Sequence, residues 1–145
     1  MKEEWYNNCI TYLRTKSDIY ITAITAFGEA RGEDENTIIA VCNVIKNRVN
    51  DKDRWYDEYV NVCLQPRQFS CFNFNDRNFV KIMSVTLDNP AFQRCFGVAF
   101  GVIRGYILDN TMGATHYHNK DMIQPNWAKS MRKTLETRKL VFYKG

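Results

Sequence analysis

One segment near the N-terminus carries apolar or small side chains around almost its whole helical circumference. After Ser17 or Asp18, either of which can cap a helix, it runs to the 28–32 region through Ile19, Ile21, Ala23, Ile24, Ala26 and Phe27. A helix without a polar face must be covered on every side, so this helix is predicted to be central and buried. The rest of the chain has to be arranged around it.

The neighbouring segments predict further helices. Residues 3–14 form a first helix, and a third begins near Asp34 or Asn36 and carries one apolar stripe of Ile38, Val41, Cys42, Ile45 and Val49. Another is expected at 78–87, and Asn89-Pro90 starts a long helix whose apolar residues recur as far as Tyr106. Gly97, Gly101 and Gly105 repeat every fourth residue in that helix, which favours close helix packing.

The other segments lack a helical period. Residues 59–75 are predicted to be loop or short strand, because Gln65-Pro66-Arg67 interrupts any regular pattern. Residues 140–143 are predicted to be a short closing strand. The expected fold is therefore mainly α, of the α+β class, with a small β or irregular element.

Length and charge narrow the class of protein. The chain has 145 residues, 45% of them hydrophobic, which suits one core and is too short for two ordinary domains, so residues 1–145 are predicted to be one domain. The formal charge of +4 suits an anionic polymer, and at this point nucleic acid and bacterial wall are both open.

Cysteine usage and the N-terminus bear on the compartment. The five cysteines include no Cys-x-x-Cys pair, so reduced thiols are expected. The N-terminus lacks the apolar stretch of a secretory signal, and no run is long enough to span a bilayer. We therefore expect synthesis in the cytoplasm and no stable membrane association.

Glu29 is the residue that most suggests chemistry. It stands at the end of the apolar helix, where the chain breaks at glycine and backbone carbonyls are left exposed. Desolvation and the negative end of the helix dipole both favour the protonated carboxyl, the form that a general acid needs. A surface glutamate in a helix-terminal turn would give the same sequence, so this feature alone leaves both interpretations open.

Five ordered segments together resemble a known family. They are Gly28-Glu29-Ala30-Arg31-Gly32-Glu33; Ala40-Val41 with Asn47-Arg48-Val49; Gln68-Phe69-Ser70; Gly113-Ala114-Thr115-His116-Tyr117-His118; and Pro125-Asn126-Trp127-Ala128. In this order and spacing the chain resembles the cell wall hydrolase family of spore cortex-lytic enzymes, over roughly residues 20–143. The resemblance implies a lysozyme-like domain related to lytic transglycosylases, with its small β or irregular element lining a cleft.

The resemblance also implies a reaction on bacterial peptidoglycan. Glu29 would protonate the β-1,4 bond between N-acetylmuramic acid and N-acetylglucosamine, and then act as base on the 6-hydroxyl of the muramic residue, leaving a 1,6-anhydro end. A hydrolytic muramidase would need a second carboxylate, for which Asp76, Asp109 and Asp121 are weak candidates, each more typical of a turn or cap. Hydrolysis by water therefore stays an alternative.

Other residues are predicted to line the cleft or support it. If residues 115–119 are extended, Thr115, Tyr117 and Asn119 point to one side and His116 and His118 to the other, so one set faces the cleft. The predicted substrate contacts are Gln68, Phe69, Ser70, Thr115, His116, Tyr117, His118 and Trp127, although side chains such as Phe69 and Trp127 are more often part of a core. Glu33 and Arg48 are predicted to be structural, with Glu33 pairing with Arg31 or Arg48.

Two alternatives come from other classes. His116 and His118 have the spacing of two zinc ligands on one strand face, which would suit a wall amidase or peptidase, but no third ligand is evident. A basic non-catalytic module is the other. The favoured interpretation needs no metal or cofactor and no nucleic acid. It predicts a monomer that acts on the cell wall or in the periplasm, as a bacteriophage endolysin does.

Overall fold

The computed structural model describes residues 1–145 and is mainly helical, as predicted. Its helices are α1 (Glu3–Leu13), α2 (Asp18–Ala30), α3 (Glu35–Asn50), α4 (Tyr59–Leu64), α5 (Arg77–Ser84) and α6 (Pro90–Ile103). Its strands are β1 (His116–Asn119), β2 (Arg132–Glu136) and β3 (Leu140–Lys144). Short 3-10 turns occur at Ser70–Phe72 and Asn126–Ser130. No helix is long and apolar enough to cross a membrane.

Helix α2 is the central element, which confirms the prediction from its all-round apolarity. It begins at Ser17, whose side chain accepts the Tyr20 N–H, and it packs against α3, α4, α5 and α6. Ile21 and Ile24 are fully buried, and burying such a side chain contributes about 1.5–3 kcal/mol. A single core of 31 buried residues surrounds this helix.

The helix boundaries follow from capping residues. Asp34 accepts the Thr37 N–H at the start of α3, and Asn89 accepts two N–H groups at the start of α6. Helix α6 ends at Ile103 rather than near Tyr106, because Gly105 takes a positive φ of 81° that stops the helix.

Two predictions about these segments are wrong, and one strand was not predicted. Tyr59–Leu64 is a helix, too short for its period to be read in the sequence, and Arg132–Glu136 is a strand that no pattern indicated. The glycines of α6 do not mediate close helix packing. A Cβ at Gly101 would lie 2.5 Å from Ile107, in the segment that folds back after the helix, and one at Gly97 would meet nothing within 4 Å.

The sheet is antiparallel and places β3 in the middle, in the order β1-β3-β2. Tyr117 of β1 lies opposite Phe142 of β3. Since Phe142 is fully buried in the main core, this register ties β1 to the helical body. The chain thus brings an edge strand next to the C-terminal end of α2.

Candidate active site

Glu29 lies in the last turn of α2 and is partly buried. The Tyr117 hydroxyl donates a hydrogen bond to its Oε1 at 2.7 Å. On the other carboxyl oxygen, the Cys71 N–H donates at 3.4 Å and the Ser70 hydroxyl lies at 3.5 Å, both long contacts. The carboxyl of Glu29 is therefore fixed from two sides and remains partly open to solvent.

A close approach of two backbones makes these contacts possible. A Cβ on Gly28 would lie 2.7 Å from both Cβ and Sγ of Cys71, which is fully buried. Only glycine lets the Ser70–Phe72 turn approach α2 so closely. The turn then presents its Cys71 N–H and Ser70 hydroxyl to the neighbouring Glu29.

Tyr117 is the strongest partner of Glu29. Its ring packs between Phe69 and Phe142, with centroid distances of 6.5 and 5.4 Å. Burial, followed by the charge and hydrogen bond of Glu29, raises the pKa of Tyr117 well above its usual range. The phenol therefore stays protonated and acts as donor to the carboxylate.

Arg48 organises the segments on either side of this pair. It comes from α3, is only 4% exposed, and donates from Nε to the Thr115 carbonyl at 2.7 Å and from Nη1 to Gln68 Oε1 at 3.3 Å. Its guanidinium also lies 4.0 Å from the centroid of the Trp55 ring. Burial lowers the pKa of Arg48 to about 10, so it is still charged at neutral pH.

Glu33 has a different partner from the one predicted. Its carboxylate pairs with Arg138 at 3.4 Å, joining the α2–α3 turn to the β2–β3 turn. Neither Arg31 nor Arg48 pairs with it: Arg31 donates to Asn78, on α5. Glu33 therefore does have a structural ion pair, as predicted, but its partner is Arg138.

Next to the Glu29–Tyr117 pair is a cavity of about 330 Å³, here called the aromatic hollow. It is lined by Arg48, Trp55, Arg67, Gln68, His116, Tyr117 and Trp127. The His116 ring lies 5.6 Å from Trp55 and 5.0 Å from Trp127, centroid to centroid. Burial, and then the charges of Arg48 and Arg54, lowers the pKa of His116 to about 4, so the ring is neutral at pH 7.

The predicted substrate contacts separate into two groups. Ser70 and Tyr117 contact Glu29, whereas Gln68, His116 and Trp127 line the aromatic hollow with Tyr117. Both faces of β1 therefore contribute, and not one set only. Three of the predicted contacts belong to neither group: Phe69, Thr115 and His118.

Those three residues support the site from behind. Phe69 is 2% exposed and packs in the core, and Thr115 is buried with its carbonyl on Arg48. The His118 ring stacks on Tyr143 at 5.4 Å, and its Nε2 is 2.9 Å from the Tyr143 hydroxyl.

Sequence reasoning missed three residues that the structure places here: Trp55, Arg67 and Cys71. Trp55 and Arg67 lie in irregular segments without periodicity, so no pattern indicated their direction. A weak signal existed for Cys71, which directly follows the Gln68-Phe69-Ser70 segment.

The weak second-carboxylate candidates occupy structural positions. Asp76 caps α5, and the Asp109 carboxylate accepts hydrogen bonds from Thr111, Asn47 and Gly113 within a turn. Asp121 is exposed, and its N–H donates to Asn119. No carboxylate lines the aromatic hollow. Glu29 is the carboxylate that accepts the hydrogen bond of Tyr117.

The donors of a zinc site do not converge. His116 Nδ1 lies 2.9 Å from the Thr115 hydroxyl, and both ring nitrogens of His118 lie within hydrogen-bond distance of other groups. No group of three His, Cys, Asp or Glu side chains is arranged to hold a metal ion.

Comparison with known proteins gives a family and a fold. Residues 32–143 match a family model described as Cell Wall Hydrolase. The catalytic domain of the Bacillus cereus SleB protein has 26% identity and a TM-score of 0.71, covering 88% of this chain and 89% of that one. The catalytic domain of the germination-specific lytic transglycosylase SleB from Bacillus anthracis has 26% identity and a TM-score of 0.68, covering 88% and 93%. No curated protein sequence matches.

Proposed function

The chain belongs to the cell wall hydrolase family, and we propose that it cleaves the glycan strand of peptidoglycan as a lytic transglycosylase, with Glu29 as both acid and base. One observation carries the proposal. The Glu29 carboxyl is held by Tyr117, which also lines a cavity of sugar-binding composition, and no carboxylate belongs to the lining of that cavity. The likeness to the catalytic domain of a germination-specific lytic transglycosylase supports the same reaction.

In the first step, protonated Glu29 gives its proton to the oxygen that joins the muramic residue to the next N-acetylglucosamine. The bond from muramic C1 to that oxygen breaks, and the glucosamine leaves with a hydroxyl group. Positive charge develops on the muramic ring, while Glu29 becomes a carboxylate. The hydroxyl of Tyr117 and the N–H of Cys71 then stabilise that new charge.

In the second step, the Glu29 carboxylate takes the proton from the 6-hydroxyl of the same muramic residue. The freed oxygen forms a bond to C1, which closes a 1,6-anhydro ring and returns Glu29 to its protonated form. No water is consumed, so one carboxyl can serve both steps. A retaining or inverting hydrolase would use two carboxyl groups.

Hydrolysis to a reducing end is the alternative product, and glycan-end analysis separates the two. Purified peptidoglycan is digested with wild type, Glu29→Gln and Glu35→Gln, and the new ends are identified by mass spectrometry. Glu35 is an exposed residue at the start of α3, so its variant is a charge-matched control. We expect anhydro ends from wild type and Glu35→Gln. In Glu29→Gln, the rate of cleavage should fall at least 100-fold.

Each other result has a defined meaning. Reducing ends would replace transglycosylation by hydrolysis, and released peptides would exclude glycan cleavage altogether. Full activity of Glu29→Gln would remove Glu29 from the mechanism. The endolysin setting and the monomeric state stay predictions, and neither similar structure named above comes from a phage.

A further inference from the structure

Arg48 and Arg67 are lining residues of the aromatic hollow, and no carboxylate is. Arg67 lies between this hollow and a second cavity beside α1, so it borders both. A cavity of this kind attracts an anionic group rather than a neutral one.

Arg48 has no acidic partner within the chain. Its two hydrogen bonds go to neutral acceptors, the Thr115 carbonyl and the Gln68 amide, although the residue is 4% exposed. A buried charge that is not paired with an opposite charge is costly. An anion bound in the neighbouring hollow would offset part of that cost.

Arg67 supplies the accessible charge. It is exposed, forms no ion pair and no side-chain hydrogen bond, and lies at the hollow. Its backbone has a φ of 66°, a conformation that a residue with a side chain seldom adopts.

The remaining lining suits a sugar ring. Trp55 and Trp127 flank His116, and the neutral imidazole and the Gln68 amide add hydrogen-bonding groups. A cavity of about 330 Å³ lies at the small end of ligand sites, enough for a single compact unit. Because Tyr117 lines the hollow and also donates to Glu29, the hollow lies next to the candidate acid.

We propose that the aromatic hollow binds a muramic residue, and that Arg67 binds a carboxylate carried on the lactyl arm of that residue. N-Acetylglucosamine has no such arm, so the charge distinguishes the two sugars of the strand. The carboxylate is either that of the lactyl group itself or one belonging to an attached stem peptide. This inference rests on the proposed glycan substrate.

Binding to an inactive protein tests the inference without requiring turnover. Soluble glycan strands are prepared in three forms: with stem peptides, with free lactyl carboxylates after amidase treatment, and with all carboxylates converted to neutral methylamides. Their dissociation constants are measured by calorimetry with Glu29→Gln, alone and combined with Arg67→Gln or Arg104→Gln. Arg104 caps the far end of α6 and lines none of the cavities described, so it is the charge-matched control.

We expect carboxylate-bearing strands to bind about tenfold more tightly than the methylamides, the lower end of the range for one charge-assisted hydrogen bond. Arg67→Gln should abolish that preference and Arg104→Gln should keep it. Preference for one carboxylate form identifies whether the lactyl group or the peptide supplies the anion. An equal affinity for all three forms, or a preference that survives Arg67→Gln, overturns the inference. Failure of the proposed function would instead appear as no binding of any strand and no cleavage by wild type.

Discussion

Replacing Tyr117 by phenylalanine removes one atom from the candidate active site. The variant loses the hydroxyl that donates to Glu29 at 2.7 Å, whereas the ring keeps its contacts with Phe69 and Phe142. The change therefore separates the hydrogen bond from the packing. The best control is Tyr143→Phe, which removes a hydroxyl from the adjacent strand, where it lies 2.9 Å from Nε2 of His118.

The expected size follows from the charge of the acceptor. A hydrogen bond to an ionised group is worth about 1.5–3 kcal/mol, and the lower part of that range applies because Glu29 is partly open to water. Since the carboxylate forms as the glycosidic proton is transferred, the loss falls mainly on the transition state. A loss of about 1.5 kcal/mol there lowers kcat roughly tenfold. The free energy of unfolding should fall by only about 0.5–1.5 kcal/mol.

Steady-state cleavage of soluble strands and urea unfolding measure these two quantities. We expect Tyr117→Phe to lower kcat about tenfold with little change in KM, and Tyr143→Phe to leave kcat unchanged. The double variant Glu29→Gln/Tyr117→Phe should be no slower than Glu29→Gln alone, because Tyr117 acts through Glu29. A Tyr117→Phe variant with wild-type kcat, or one no slower than Tyr143→Phe, would refute the reasoning.

Two further predictions concern packing and acid stability. Gly28→Ala should lower the free energy of unfolding by about 1–3 kcal/mol and reduce activity, because its Cβ would meet Cys71 at 2.7 Å. Gly97→Ala has open space around its Cβ and should raise the free energy of unfolding by up to about 1 kcal/mol. Urea titration compares the two variants. The pKa of His116, lowered to about 4 from the 6.5 of an unfolded chain, means that the unfolded state binds the proton first as pH falls, so stability is present above pH 6.5 and declines toward pH 4. His116→Gln should flatten that decline, in unfolding measured between pH 7 and 4; a variant that loses stability as steeply as wild type would contradict the assignment.

The helical part of the fold was predictable because its signals are local. The all-round apolarity of α2 marks it as central, and the caps at Ser17, Asp34 and Asn89 mark where three helices begin. The same helix ends beside glycine, which placed Glu29 at its terminus. Each of these inferences needs only neighbouring residues.

The contacts of the candidate site were less predictable because they are long-range. Glu29 and Tyr117 are 88 residues apart, and periodicity cannot show that they meet. The resemblance to a family indicated that the 113–118 segment belongs to the site. That Tyr117 donates to the Glu29 carboxylate could be seen only in the structure. Trp55 and Arg67 escaped notice because irregular backbone sets their direction, and Arg67 even has a φ that its residue type disfavours.

The strand order also determines when the candidate site can form during synthesis. Glu29 is translated early, but β1 pairs only with β3, and Thr115 donates its N–H to the Tyr143 carbonyl. While the nascent chain still lacks residues 140–144, β1 has no strand to pair with and Tyr117 lacks its packing against Phe142. Even if its helices fold as they emerge from the ribosome, the growing polypeptide therefore lacks the complete Glu29–Tyr117 pair until β3 has been synthesised.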